Sequence, residues 1–182
     1  VILNVLISIY VDINNTKRFF IIRENAKGIS KEKLGDALSP GKVQTLNSLN
    51  EHGLGMKQAI AALGKLHYLI TKNKDDTKAN LIKKLCFGDI EVYETQWELE
   101  SGTEICVDNL KAIVDVNTSN ITRHIAPYLG ARYRRFLKPD NKKMNLVIEI
   151  KNIETDLTQN QWIIEEKKPI YFNPATRQNS PV

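Results

Sequence analysis

The chain has 182 residues, 42% hydrophobic and 26% charged, ordinary values for a globular domain able to bury a sizeable core. Its 26 Lys and Arg against 21 Asp and Glu give a net charge of +5, with a pI near 9.1. This is a mixed surface that permits an anionic partner such as a nucleotide or nucleic acid, and it excludes a basic arm. Two cysteines, Cys86 and Cys106, lie in apolar strand-like runs. Without a CxxC or Cys/His cluster they read as buried free thiols in a reducing, cytoplasmic compartment and give no metal site.

The N-terminal run "VILNVLISIYVDI" is interrupted by Asn4, Ser8 and Asp12. It is too short and too polar to span a membrane, and it lacks the flanks of a leader. Val5, Ile7, Ile9, Val11 and Ile13 alternate with Leu6, Ser8, Tyr10 and Asp12, the period of a half-buried strand. "NNT" at Asn14–Thr16 is a turn and "KRFFIIREN" a second strand, so the pair predicts a β-hairpin. "SKEKLGDAL" predicts a short helix with Ser30 as N-cap. From Gly35 to Gly55 the sequence is rich in Gly, Pro, Ser and Asn without periodicity, the mark of a lid, a binding loop or disorder.

Met56, Ile60 and Leu63 then recur at helical spacing, with Gly64 as a C-cap. "LHYLIT", "ANLIKKLCF", "IEVYETQWEL" and "TEICVDNL" are four strand candidates. "SNITRHIAPYLGARYRRFL" reads as a helix that Pro127 should start late or kink. "MNLVIEI" is a further strand, followed by strand-like "QWIIEE" and "PIYF" and a fraying end. Strands and helices do not alternate strictly, so an α+β class with a mixed, mostly antiparallel sheet is expected.

Three stretches carry chemistry. "HGLGMK" places Gly53 and Gly55 before a helix start with Lys57 in its first turn. Unpaired N–H groups, the helix dipole and bare glycine backbone suit a phosphate there, although the same residues also suit a plain turn. Neither a Walker A nor a Rossmann fingerprint is present. Glu24 ends a strand and is followed by a turn containing Gly28; a carboxylate there can accept an amino proton from a base. Thr103, in "SGTEICVDNL", opens a strand with a hydroxyl able to donate or accept.

In order and spacing these motifs resemble the GHKL ATPases, whose fold is the Bergerat fold. The motifs are an acidic-Asn-x-x-Gly-Ile turn after a strand, a long loop ending in "GLGMK", and a "GTEI" strand. The resemblance covers about residues 5–150 and is nearer the MORC, MutL, heat-shock-chaperone and bacterial ATP-binding branch than the sensor kinases. It implies a two-layer α/β sandwich, with helices on one face of the sheet and an ATP lid over Gly35–Glu51. The implied organisation is an ATP-binding domain over 1–153 and an extension over 154–182.

By the same resemblance Glu24 takes the place of the adenine-binding aspartate, with Asn25 beside it, Gly28 packing against the base and Ile29 lining its pocket. His52, Gly53, Leu54, Gly55, Met56 and Lys57 would surround the phosphates, and Thr103 would join Glu24 at the adenine. No phosphoacceptor-histidine helix is visible, and His52, His67 and His124 read as ordinary residues. The implied ligands are ATP and Mg²⁺. The implied behaviour is lid ordering and homodimer closure on ATP binding, with slow hydrolysis.

The chain departs from the family pattern in having Glu24 for Asp and Ala26 for Gly. It also starts within the first hairpin, so the helix expected to carry the catalytic Glu and Mg²⁺-binding Asn would lie upstream of Val1. A rival reading is a non-hydrolysing module of the same fold that contacts nucleic acid or a protein partner. Arg132, Arg134, Arg135 and Lys138 suit such a contact, though cations near a helix end also complement its dipole.

Overall fold

The structure, a computed structural model, describes residues 2–38, 55–84, 90–112 and 114–168. Alternation in the first segment produces the expected hairpin, β1 (Leu3–Val11) antiparallel to β2 (Arg18–Glu24). Its turn is closed by the Asp12 carboxylate, which accepts from the Thr16 and Lys17 N–H groups at 2.6 and 2.9 Å and from the Thr16 hydroxyl at 2.6 Å. The Thr16 hydroxyl is the main reason the carboxyl sits below its ordinary pKa.

Helix α1 (Lys31–Leu38) begins where the Ser30 carbonyl accepts from Lys33 and Leu34 N–H. The first four residues assigned to the lid, Gly35–Leu38, are therefore helical; the rest of the lid lies outside the described residues. Helix α2 (Gly55–Leu63) follows as expected. Gly64 ends it through close approach: a Cβ there would stand 2.4 Å from the Asp108 carbonyl oxygen.

Strands β3 (Lys65–Lys72) and β6 (Gly102–Asp108) are as long as their apolar runs suggest. The two between them are shorter than expected. β4 spans Ala79–Ile82, and part of the run predicted for it lies outside the described residues; β5 keeps only Tyr93–Thr95, since it is the edge strand, where little apolar surface rewards pairing. The later helical stretch is broken into α3 (Thr118–Asn120), a π-helical turn (Ile121–Ile125), α4 (Ala126–Arg132) and α5 (Arg134–Leu137). Pro127 has no N–H for the carbonyl four residues earlier, and the widened turn before it lets Ala126 N–H reach Ile121 O instead.

Strands β7 (Met144–Asn152) and β8 (Thr158–Ile163) complete an eight-stranded sheet of order β5-β4-β3-β6-β2-β1-β7-β8. One pairing, β1 with β7, is parallel; the others are antiparallel. β8 comes from the segment assigned to an extension and pairs with β7. "PIYF" and Cys86 lie outside the described residues.

Helices α1, α2, α4 and α5 and the π-helical turn pack on one face, giving two layers. Leu34 and Leu38, one turn apart on α1, bury against Leu69 and Ile82. Ile60 of α2, Ile121 and Leu137 join Ile9, Phe20, Val107 and Ile148 in a larger cluster. Fully burying such a side chain contributes about 1.5–3 kcal/mol. A bulge at His67 keeps Leu66 on this covered face, opposite Val107, and puts Tyr68 opposite Cys106 on the other. Cys106 is a buried free thiol whose pKa burial pushes up to about 12.

Candidate functional site

At one end of the covered face the apolar rows give way to a polar one. Register places Glu24 of β2 opposite Thr103 of β6, Thr103 opposite Thr71 of β3, and Thr71 opposite Asn80 of β4. Directly opposed residues keep their Cβ atoms about 5 Å apart, so these side chains form one continuous edge.

Two glycines hold the Glu24 turn against this edge. Gly28 has φ +71°, and a Cβ there would stand 2.0 Å from the Lys72 carbonyl oxygen and 3.0 Å from that of Gly102. Gly102 has φ +137°, and its Cβ would stand 2.1 Å from the Glu24 carbonyl oxygen. Only bare backbone fits at either point. Beside them, Ile29 N–H donates to the Thr71 hydroxyl at 2.9 Å. That hydroxyl lies 3.1 Å from both the Gly102 carbonyl and the Thr103 hydroxyl.

The Glu24 carboxylate accepts from the N–H of Ala26, curling over its own turn. A carboxylate has about four acceptor positions, so capacity remains on Glu24. Asn25 faces away from Thr103: its Oδ1 accepts the Asn4 N–H at 2.7 Å, tying the turn to β1.

At the other part of the expected site, Gly55 opens α2 with nothing described within 4 Å of its would-be Cβ, unlike Gly28 and Gly102. Met56 packs into both apolar clusters, one of which also receives Ile29, so the helix start and the Gly28 turn share a floor. Lys57 lies in the first turn of α2, and partial burial pulls its ammonium below the ordinary lysine pKa. His52, Gly53 and Leu54 lie outside the described residues.

The structure thus brings Glu24, Gly28, Ile29 and Thr103 together and places Gly55, Met56 and Lys57 at a helix start. Thr71 and Gly102 are corner residues that the sequence reading did not assign. Thr71 carried a signal: strand alternation puts it on the apolar face, two residues after Leu69. Gly102 is the second residue of "SGTEICVDNL".

The opposite face is uncovered by described helices and carries its own polar group. Glu104, 5% exposed, accepts from the Tyr68 hydroxyl at 2.7 Å and from Arg23 Nε. Arg23 also pairs with Glu98 at 2.5 Å. Burial, and then Glu104 itself, pushes the Tyr68 phenol well above its ordinary pKa. These residues and Trp97 line an open depression of about 400 Å³. His67 pairs with Asp108 at 3.1 Å. Among the described residues no group of three or more His, Cys, Asp or Glu is placed to hold a metal ion, and no helix is long and apolar enough to cross a membrane.

By sequence, no protein-family profile and no curated protein matches the chain. By structure it is similar to the N-terminal domain of a DNA repair protein, at TM-score 0.51 and 15% identity over 88% of this chain and 46% of that one. It is also similar to the Aquifex aeolicus MutL ATPase domain complexed with ADP, at TM-score 0.51 and 12% identity over 91% of this chain and 56% of that one. The fold is of the GHKL type. At these identities the likeness speaks for fold alone, and the chain spans about half the length of each neighbour. Within a GHKL-type sheet, the Glu24–Thr103 corner and the α2 start are where the sequence resemblance expects the two ends of a nucleotide.

Proposed function

We propose that the chain is an ATP-binding domain of the GHKL type, from the branch that includes MutL, MORC proteins and the heat-shock chaperones. The observation that carries this is the direct pairing of Glu24 with Thr103 beside the bare backbone of Gly28. A carboxylate and a hydroxyl side by side match an exocyclic amino group, and a glycine turn lets a flat base approach the backbone. Gly53–Lys57 would take the phosphates at the start of α2, with Lys57 supplying a cation. Mg²⁺ would come bound to those phosphates. The solved neighbour complexed with ADP fits this reading.

The segment Gly35–Glu51 would act as a lid over the nucleotide, its ordering on ATP binding driving closure of a homodimer. Turnover would need a general base for the attacking water and a Mg²⁺-binding group, which the resemblance puts on a helix preceding β1. A reducing, cytoplasmic setting suits the free thiol of Cys106. The test is calorimetric titration of Mg²⁺-ATP into the protein and into Glu24→Ala. The wild type should bind, and the variant should bind at least about tenfold more weakly. Absence of binding by the wild type, with upstream sequence included, would defeat the reading.

One observation favours a nucleic-acid contact as well. Between Thr118 and Lys143 stand seven Lys or Arg and one acid, Asp140, a net +6 against +5 for the whole chain. Tyr128 and Phe136 are 65% and 47% exposed among these cations, an arrangement suited to phosphates and stacked bases. Binding to single-stranded DNA should weaken steeply as salt rises, with a slope that shallows in Arg132→Ala/Arg135→Ala. A salt-independent or absent affinity would remove this second reading.

A further inference from the structure

The Thr71 hydroxyl is 0% exposed and touches three groups, yet it has one hydrogen and two lone pairs. The Ile29 N–H occupies one lone pair at 2.9 Å. The Gly102 carbonyl, at 3.1 Å, can only accept, so the Thr71 hydrogen goes to it. One lone pair is left for Thr103, whose hydroxyl oxygen lies 3.1 Å away. Thr103 must then donate to Thr71, and its own lone pairs face outward.

Resting on the nucleotide reading above, we propose that Thr71 is a positioning residue that fixes the Thr103 proton, so that the Glu24–Thr103 corner accepts hydrogen bonds and donates none. Such a corner takes both hydrogens of an exocyclic amino group, one on Glu24 and one on Thr103. It meets an oxo group with lone pairs against lone pairs. The choice between a 6-amino and a 6-oxo purine is therefore made two strands deep, by a residue that touches no base. Without the Thr71 hydroxyl, Thr103 would rotate and offer its hydrogen outward, which an oxo group can accept.

The test titrates Mg²⁺-ATP and Mg²⁺-ITP, which differ at that amino group, into wild type, Thr71→Val and Thr71→Ser, with melting temperature followed for each. The wild type should prefer ATP by at least about 30-fold. Thr71→Val keeps the shape and loses the hydroxyl, so the preference should fall about tenfold. Thr71→Ser keeps the hydroxyl and should restore the preference even if it melts lower.

An unchanged ratio in a Thr71→Val protein that still binds ATP overturns the proposal and leaves nucleotide binding standing. Equal loss of preference in Val and Ser variants overturns it too, since packing would then be the cause. Should Thr71→Val not fold, Thr71→Ala is read by the same ratio. A fall in the ATP preference that Thr71→Ser does not share supports the proposal, and an unchanged ratio overturns it. A wild type that binds neither ATP nor ITP removes the nucleotide reading and this inference together.

Discussion

Arg23 and Glu24 are consecutive on β2 and face Glu104 and Thr103, consecutive on β6. Alternation sends the two pairs to opposite faces of the sheet, and their chemistry diverges there. On the open face Glu104 is 5% exposed, with a cation on one oxygen and a phenol on the other. On the covered face Glu24 meets a hydroxyl and one N–H of its own turn, and capacity for a ligand remains. The same residue type, one strand away, is structural in one place and a candidate ligand in the other. What separates them is whether neighbouring side chains already engage both oxygens of a buried carboxylate, a property of register that composition does not carry.

The largest effect should come from breaking the Glu24 corner at its backbone. Gly28→Ala adds a Cβ that would stand 2.0 Å from the Lys72 carbonyl, at φ +71°. The turn must move away from β3 and β6, costing about 3 kcal/mol or more. Denaturant unfolding should show that loss, and nucleotide affinity should fall with it. Gly55→Ala is the control: its Cβ meets nothing described within 4 Å, and a helix favours Ala over Gly by up to about 1 kcal/mol. A Gly28→Ala protein as stable as the wild type would mean that the turn is not held as described.

Most of this architecture was legible in the sequence because it rests on periodicity. Val5 to Ile13 announce a strand by alternation, and Met56, Ile60 and Leu63 announce α2 by helical spacing. What was not legible depends on contacts far apart in the chain. β5 shrinks to three residues because apolar content in "IEVYETQWEL" was read without knowing that it would lie at a sheet edge. At the site, Glu24, Gly28, Ile29 and Thr103 could be picked out by motif and lie together. Thr71 could not be assigned, since its role depends on pairing with Thr103, 32 residues later. The direction of Asn25 depended likewise on Asn4, across the β1–β2 hairpin.

A smaller effect, and the direct test of the contrast, is the same substitution on the two faces. Glu104→Gln removes a charge from a 5%-exposed site, and its one amide oxygen can accept from only one of Arg23 Nε and the Tyr68 hydroxyl, which puts the amide NH2 against the other donor. Breaking a fully buried pair costs about 3–5 kcal/mol. Here Arg23 is 38% exposed and keeps Glu98, so solvent screening reduces the cost to about 2 kcal/mol. Glu24→Gln should change stability by no more than about 0.5 kcal/mol, because the amide oxygen can still accept from Ala26. It should weaken Mg²⁺-ATP by about tenfold, whereas Glu104→Gln should leave that affinity within about twofold of wild type in protein that is still folded. Chemical denaturation and calorimetry on the two variants separate the faces. If Glu104→Gln weakened ATP as much as Glu24→Gln, the corner would not be confined to the covered face, and the division of labour between these two carboxylates would have to be abandoned.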